Sequence, residues 1–126
     1  MPATFESTVR EFFTAFDKKD YARVGKLMTD DAQGVDELSR KWMRGRKEIE
    51  GYFAKFGPML SGIRTEIKDT KESTAGDTSI LTMWIEQDYK LEGKAEHFSG
   101  PVTVVGKKKG AGWVLSLVHA VPLPKQ

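Results

Sequence analysis

Cysteine is missing from all 126 residues. Its absence excludes a disulfide framework, a thiolate zinc site and a cysteine nucleophile, and it fits a reducing, cytoplasmic setting. Histidine is nearly missing too. The only two, His97 and His119, stand far apart and show no metal-ligand spacing, so no metal is expected. No glycine-rich phosphate loop is present: Gly106, Gly110 and Gly112 flank a lysine run and lack the strand-loop-helix context. Nor is there a Gly-x-Ser-x-Gly nucleophile elbow. With these motifs gone, no cofactor is expected. Charge of one sign is not in excess either. Twenty basic residues face 18 acidic ones, a net charge of +2, which gives no electrostatic drive toward nucleic acid. No apolar run approaches about 18 residues, so no membrane span is expected. Met1 to Glu6 lacks a basic stretch followed by an apolar core, so no secretory leader is expected at this start.

What is present reads as one globular domain over residues 1–126, with 39% apolar and 30% charged residues. A chain of this size buries about two thirds of its unfolded surface. The first third has helical period. Phe5, Val9, Phe12, Phe13 and Phe16 recur at steps of three and four, with Thr4 as N-cap. Asp20 caps a second short helix carrying Tyr21, Val24, Leu27 and Met28, and Asp30 and Asp31 end the helical reading. Short strands are expected around Ala32–Glu37 and Arg40–Arg44. A third helix starts near Gly45, carries Ile49, Tyr52, Phe53 and Phe56, and stops at Gly57-Pro58. The period then changes to two: a strand through Ile63, Thr65 and Ile67, a long strand Thr78–Leu91, a strand Glu96–Val105 in which Pro101 marks a bulge or an edge, and a last strand Trp113–Val121. Lys107, Lys108 and Lys109 read as a solvated hairpin tip. Helices first and hairpin-linked strands after predict an α+β fold with an antiparallel sheet.

Three segments carry a family resemblance. Phe12-Phe13-x-Ala15-Phe16-x-x-x-Asp20 followed by Leu27-Met28-x-Asp30-Asp31-Ala32 is similar to the opening of SnoaL-like domains of the nuclear transport factor 2-like superfamily. Gly45-Arg46-Lys47-Glu48-Ile49-x-x-Tyr52-Phe53 resembles their third-helix signature, and Gly112-Trp113-Val114-Leu115-x-x-Val118-His119 their closing strand. The resemblance implies a cystatin-like cone: a curved antiparallel sheet with three N-terminal helices on its concave side. One departure stands out. Closing strands of the family often carry a second histidine, and serine or threonine two places after the last histidine; here those places hold Leu117 and Val121. Chemistry that needs a histidine pair is therefore in doubt.

The resemblance also implies a cone mouth lined by aromatic and methionine side chains. The candidates are Phe13, Met28, Trp42, Tyr52, Phe53, Met83, Trp84, Tyr89 and Trp113, each of which reads equally as core filling. Strand parity places His119 on the face of Trp113, Leu115 and Leu117, either as a hydrogen-bonded core residue or as a general acid or base. Asp36, Glu86 and Asp88 lie on predicted strands. Glu86 and Asp88 read as a solvated sheet face, as does Asp36 unless it enters the cone. His119, Asp36 and Tyr52, the last as a proton donor, are the residues expected to carry any catalysis.

Two functional readings follow. In the first, the cone binds a small apolar or aromatic molecule, with or without cofactor-free isomerase, dehydratase or cyclase chemistry. In the second, the chain is a non-catalytic protein-interaction or assembly module. Under either, a homodimer through the sheet is expected, because Thr78–Leu91 is apolar on both faces.

Overall fold

Thr4 opens the first helix by giving its unpaired N–H groups an acceptor: Thr4 Oγ1 takes the Ser7 N–H at 3.0 Å. The computed structural model describes residues 4–123. Helix α1, Phe5–Asp17, buries Phe5, Val9 and Phe12 on one side. Asp20 caps α2, Tyr21–Lys26, through the Arg23 N–H at 3.2 Å. Strands β1, Met28–Val35, and β2, Met43–Arg44, follow. Gly45, at φ 94°, leads into α3, Arg46–Phe56. A 3-10 turn at Gly57–Met59 then passes the chain to β3, Leu60–Ala75, β4, Thr78–Leu91, β5, Lys94–Lys109, and β6, Gly112–Ala120.

The strands form one sheet in the order β2-β1-β6-β5-β4-β3. The helices pack against it, α1 on β3 and β6 and α3 on β1, as the α+β expectation requires. One pair departs from an all-antiparallel sheet: β1 runs parallel to β6, so the sheet is mixed. The main core joins Phe5, Val9 and Phe12 of α1 with Leu81, Met83 and Ile85 of β4, Phe98, Val102 and Val104 of β5, and Leu115 of β6. No described helix is long and apolar enough to cross a membrane.

Four local expectations are corrected. Asp30 and Asp31 do not end a helix; they lie within β1 with exposed side chains, so the strand starts four residues earlier than Ala32 suggested. Pro101 marks neither bulge nor edge. It pairs with Trp84 in an interior strand. Its carbonyl takes the Val121 N–H at 3.4 Å, just past the end of β6. The three lysines are exposed but complete β5, paired with β6, and the turn is Gly110-Ala111. The fourth concerns β6. Gly106 pairs with Leu115 but Val105 pairs with Leu117, so Ser116 is an extra residue, a β-bulge. Its hydroxyl donates to the Val105 carbonyl at 3.2 Å. The bulge reverses parity: Trp113, Leu115, Val118 and Ala120 pack into the core, whereas Leu117 and His119 lie outside it.

Candidate ligand chamber

Where β1 ends, Asp36 turns the chain with its own side chain. Its Oδ1 accepts the N–H groups of Leu38 at 3.0 Å and Ser39 at 2.9 Å, while Ser39 Oγ accepts the Asp36 N–H at 3.0 Å. This local turn stops strand alternation, so the adjacent side chains of Asp36 and Glu37 both reach the same opening. The outer oxygen of Asp36, Oδ2, accepts the hydroxyl of Tyr52 from α3 at 2.8 Å. Glu37 Oε1 accepts the hydroxyl of Tyr89 from β4 in a second, short contact.

Behind these two pairs lies a cavity of about 110 Å³. Its walls are apolar: Phe12, Phe13 and Phe16 of α1, Met28 and Met43 of the β1–β2 edge, Ile49 and Phe53 of α3, Ile85 of β4, Phe98 and Val102 of β5, and Val118 and Ala120 of β6. In front lies an open vestibule of about 550 Å³, bounded by Glu37, Arg40, Glu96, His119 and Pro122 among others. Val35 to Leu38, Tyr89 and Ala120 border both spaces and form the neck between them. An apolar chamber with a few polar groups at one end has the usual form of a small-molecule site.

The phenols are strongly perturbed. Burial, then the neighbouring Asp36 carboxylate, pushes the Tyr52 pKa well above its ordinary value. Burial, then the hydrogen bond to Glu37, does the same to Tyr89. Both stay protonated through neutral pH, and each has committed its one hydroxyl proton to a carboxylate. The Tyr52 hydroxyl donates its proton to Asp36, which leaves its oxygen as an acceptor.

Of the residues anticipated from the sequence, Phe13, Met28, Tyr52, Phe53, Tyr89 and Asp36 line the chamber. The tryptophans do not. Trp113 packs beside Phe5 with ring centroids 5.8 Å apart. Trp84 lies on the outer sheet face, its indole N–H 3.4 Å from Glu86. Trp42, 38% exposed, packs on His119 with ring centroids 5.4 Å apart. Met83 is core. His119 borders the vestibule and not the chamber, so parity misplaced it. Glu37, Phe12, Phe16 and Phe98 were missed as lining residues. The helical period of α1 offered Phe12 and Phe16; nothing local offered Glu37. Outside the chamber, His97 bridges two carboxylates, with Nδ1 2.6 Å from Asp88 and Nε2 3.0 Å from Glu86. Glu86 also accepts the Ser99 hydroxyl at 2.9 Å.

Comparison with known proteins follows the same lines. Residues 9–115 match the family model of the SnoaL-like domain. Comparison with curated proteins finds no match. Among solved structures, a dehydratase candidate of the nuclear transport factor 2-like family from Streptomyces avermitilis superposes with a TM-score of 0.83 at 19% identity, covering 94% of this chain and 93% of that one. A ketosteroid isomerase-like protein from Erwinia carotovora atroseptica gives 0.80 at 17%, covering 95% and 94%. The CaMKII hub of S. rosetta gives 0.82 at 16%, covering 98% and 100%. At such identities the structural likenesses establish the fold alone, and that fold carries unrelated functions.

Proposed function

The chain belongs to the SnoaL-like domain family, and from that premise we propose that it binds a small apolar or aromatic molecule in the chamber behind Asp36 and Glu37. The observation that supports this reading is the pairing of an unfilled apolar cavity with two tyrosine–carboxylate pairs at its neck. A chain that served only as an assembly module has no need of such a cavity, and tryptophan side chains do not fill it. Turnover in this site would be acid–base chemistry without a cofactor, of the isomerisation, dehydration or aldol-closure kind. Glu37 suits the base better than Asp36, because Asp36 already accepts three hydrogen bonds. Tyr52 positions Asp36. His119 reaches only a ligand that extends into the vestibule.

Titration of the protein with 2-phenylethanol or indole, followed by amide NMR, tests the reading. Saturable shifts are expected in residues around the chamber, with Kd on the order of 1 mM or tighter for probes of this size. Ala120→Phe fills the neck and is expected to abolish the shifts while the protein stays folded. Shifts confined to the outer sheet face, or shifts that survive Ala120→Phe, overturn the reading.

The assembly reading keeps one specific support. The outer sheet face exposes Ile80 at 42%, and the S. rosetta neighbour is a hub domain. The two readings use opposite faces of the sheet and can both hold.

A further inference from the structure

This inference rests on the chamber reading and concerns what the chamber selects. Its polar end is built from acceptors. The Tyr52 hydroxyl proton is held by Asp36 and the Tyr89 proton by Glu37, so each phenol oxygen turns only lone pairs toward the space between them. Asp36 has both oxygens occupied, by two backbone N–H groups and one hydroxyl. Glu37 differs. Its Oε1 is occupied, and its Oε2 accepts no hydrogen bond among the described residues. Two side-chain amides border the wall. The Gln87 amide donates to Thr65 Oγ1 at 2.9 Å, and Gln33, exposed at the sheet edge, accepts the Arg44 Nε–H through its Oε1 at 3.3 Å.

Charge points the same way. Neither Asp36 nor Glu37 forms an ion pair among the described residues; a third carboxylate, Glu96, borders the vestibule but is paired with Lys94 at 3.9 Å. Arg40 also borders the vestibule but stands exposed and makes no salt bridge to any of the three. A negative potential at the neck of an apolar cavity is weakly screened, because one side of it holds no water-like medium. A carboxylate ligand would meet like charge from Asp36 and Glu37 at the neck. A ligand with only acceptors would leave Glu37 Oε2 desolvated and unpaired, which costs affinity. A ligand that brings its own N–H⁺ meets both the charge and the lone pairs.

We infer that the chamber selects hydrophobic amines: molecules with a small aromatic or aliphatic body for the phenylalanine-lined interior and a protonated amine for Glu37 at the neck.

A matched series separates the terms: 2-phenylethylamine, 2-phenylethanol, its methyl ether and phenylacetate, each titrated into the whole protein at pH 7 by calorimetry or amide NMR. The amine is expected to bind at least about ten-fold tighter than the ether, with the alcohol between them and phenylacetate weakest. Glu37→Gln keeps an acceptor for Tyr89 and removes the charge. It is expected to cut the amine's affinity by about ten-fold or more and the alcohol's by no more than about three-fold, so the alcohol also reports whether the variant is folded. Phenylacetate binding as tightly as the amine overturns the inference, as does an amine-to-alcohol ratio unchanged by Glu37→Gln. Those results leave the chamber reading standing. If none of the four binds, the chamber reading itself fails and takes the inference with it.

Discussion

Four groups with raised pKa values occupy this small protein, Tyr21, Tyr52, Tyr89 and His97, and their surroundings decide what each does. Tyr52 and Tyr89 are raised by burial first, so they are fixed as neutral groups over the working pH range. His97 is raised by hydrogen bonds, first to Asp88 and then to Glu86, at a place open to water. Glu86 is lowered, first by the Ser99 hydroxyl and then by His97. Because the folded state raises His97 above its ordinary 6.5, the stability it contributes is fully present below that pH and is lost as pH rises through the folded value. Glu86 is the opposite case. Its contribution is present above its ordinary 4.5 and is lost as pH falls through the lowered folded value. The cluster is therefore strongest between those two pH values. Urea unfolding of the wild type and of His97→Gln from pH 4 to pH 9 measures it. The difference in stability is expected to peak between pH 5 and pH 6 and to shrink steadily above pH 7. It should be small throughout, since exposed pairs contribute little. A difference that is flat with pH, or that grows toward pH 9, would show that His97 is not held as a cation between the two carboxylates.

At the scale of elements, one extra residue in β6 changes which side of the strand His119 takes. Without the bulge at Ser116, the alternation from Leu115 would bring His119 inward; with it, His119 packs on Trp42 at the vestibule. His119→Gln is therefore expected to leave the affinity for a probe confined to the chamber within about two-fold, the usual range for a substitution away from the contact. A ten-fold loss would place the imidazole at the ligand after all. The same element shows where sequence reading runs out. The periods of Phe5 to Phe16 and of Thr78 to Leu91 are local signals, and both elements appear where those periods put them. A bulge adds a residue without a residue type that marks it, so everything downstream is read on the wrong face. β1 was read short because Asp30 and Asp31 sit on its solvated side, where polar side chains are no obstacle to a strand. The site was legible in part for a related reason. Phe13, Phe53, Tyr52 and Asp36 could be named from helix period and family motif, but the Tyr52–Asp36 and Tyr89–Glu37 pairs join positions far apart in the chain, which only tertiary packing brings together.

At the scale of the molecule, the sheet carries apolar side chains on both faces and helices on only one. The inner face is covered by α1 and α3. The outer face carries Ile80 and Trp84 from β4, Val105 from β5 and Leu117 from β6, with Trp42 and Val121 at its margin. Singly exposed apolar residues need no explanation, but adjacent strands contributing them to one face form a patch that monomers rarely leave in water. The net charge of +2 opposes self-association only weakly. We propose that a second copy of the chain covers this face, with the two sheets packed back to back in an isologous contact. Light scattering at micromolar concentration is expected to give twice the mass of one chain. The double variant Ile80→Glu and Val105→Glu places two unpaired charges per subunit at the centre of that contact. A buried charge without a partner costs several kcal/mol, and central interface positions carry most of the binding energy. The dimer dissociation constant is therefore expected to rise by at least about a hundred-fold, about 2.7 kcal/mol. Because both positions point away from the core, the variant should remain folded and retain the chamber's affinity for 2-phenylethanol. A wild-type protein that is monomeric at all concentrations would overturn the proposal, as would a double variant that stays dimeric. The second result would place the contact on some surface other than the sheet.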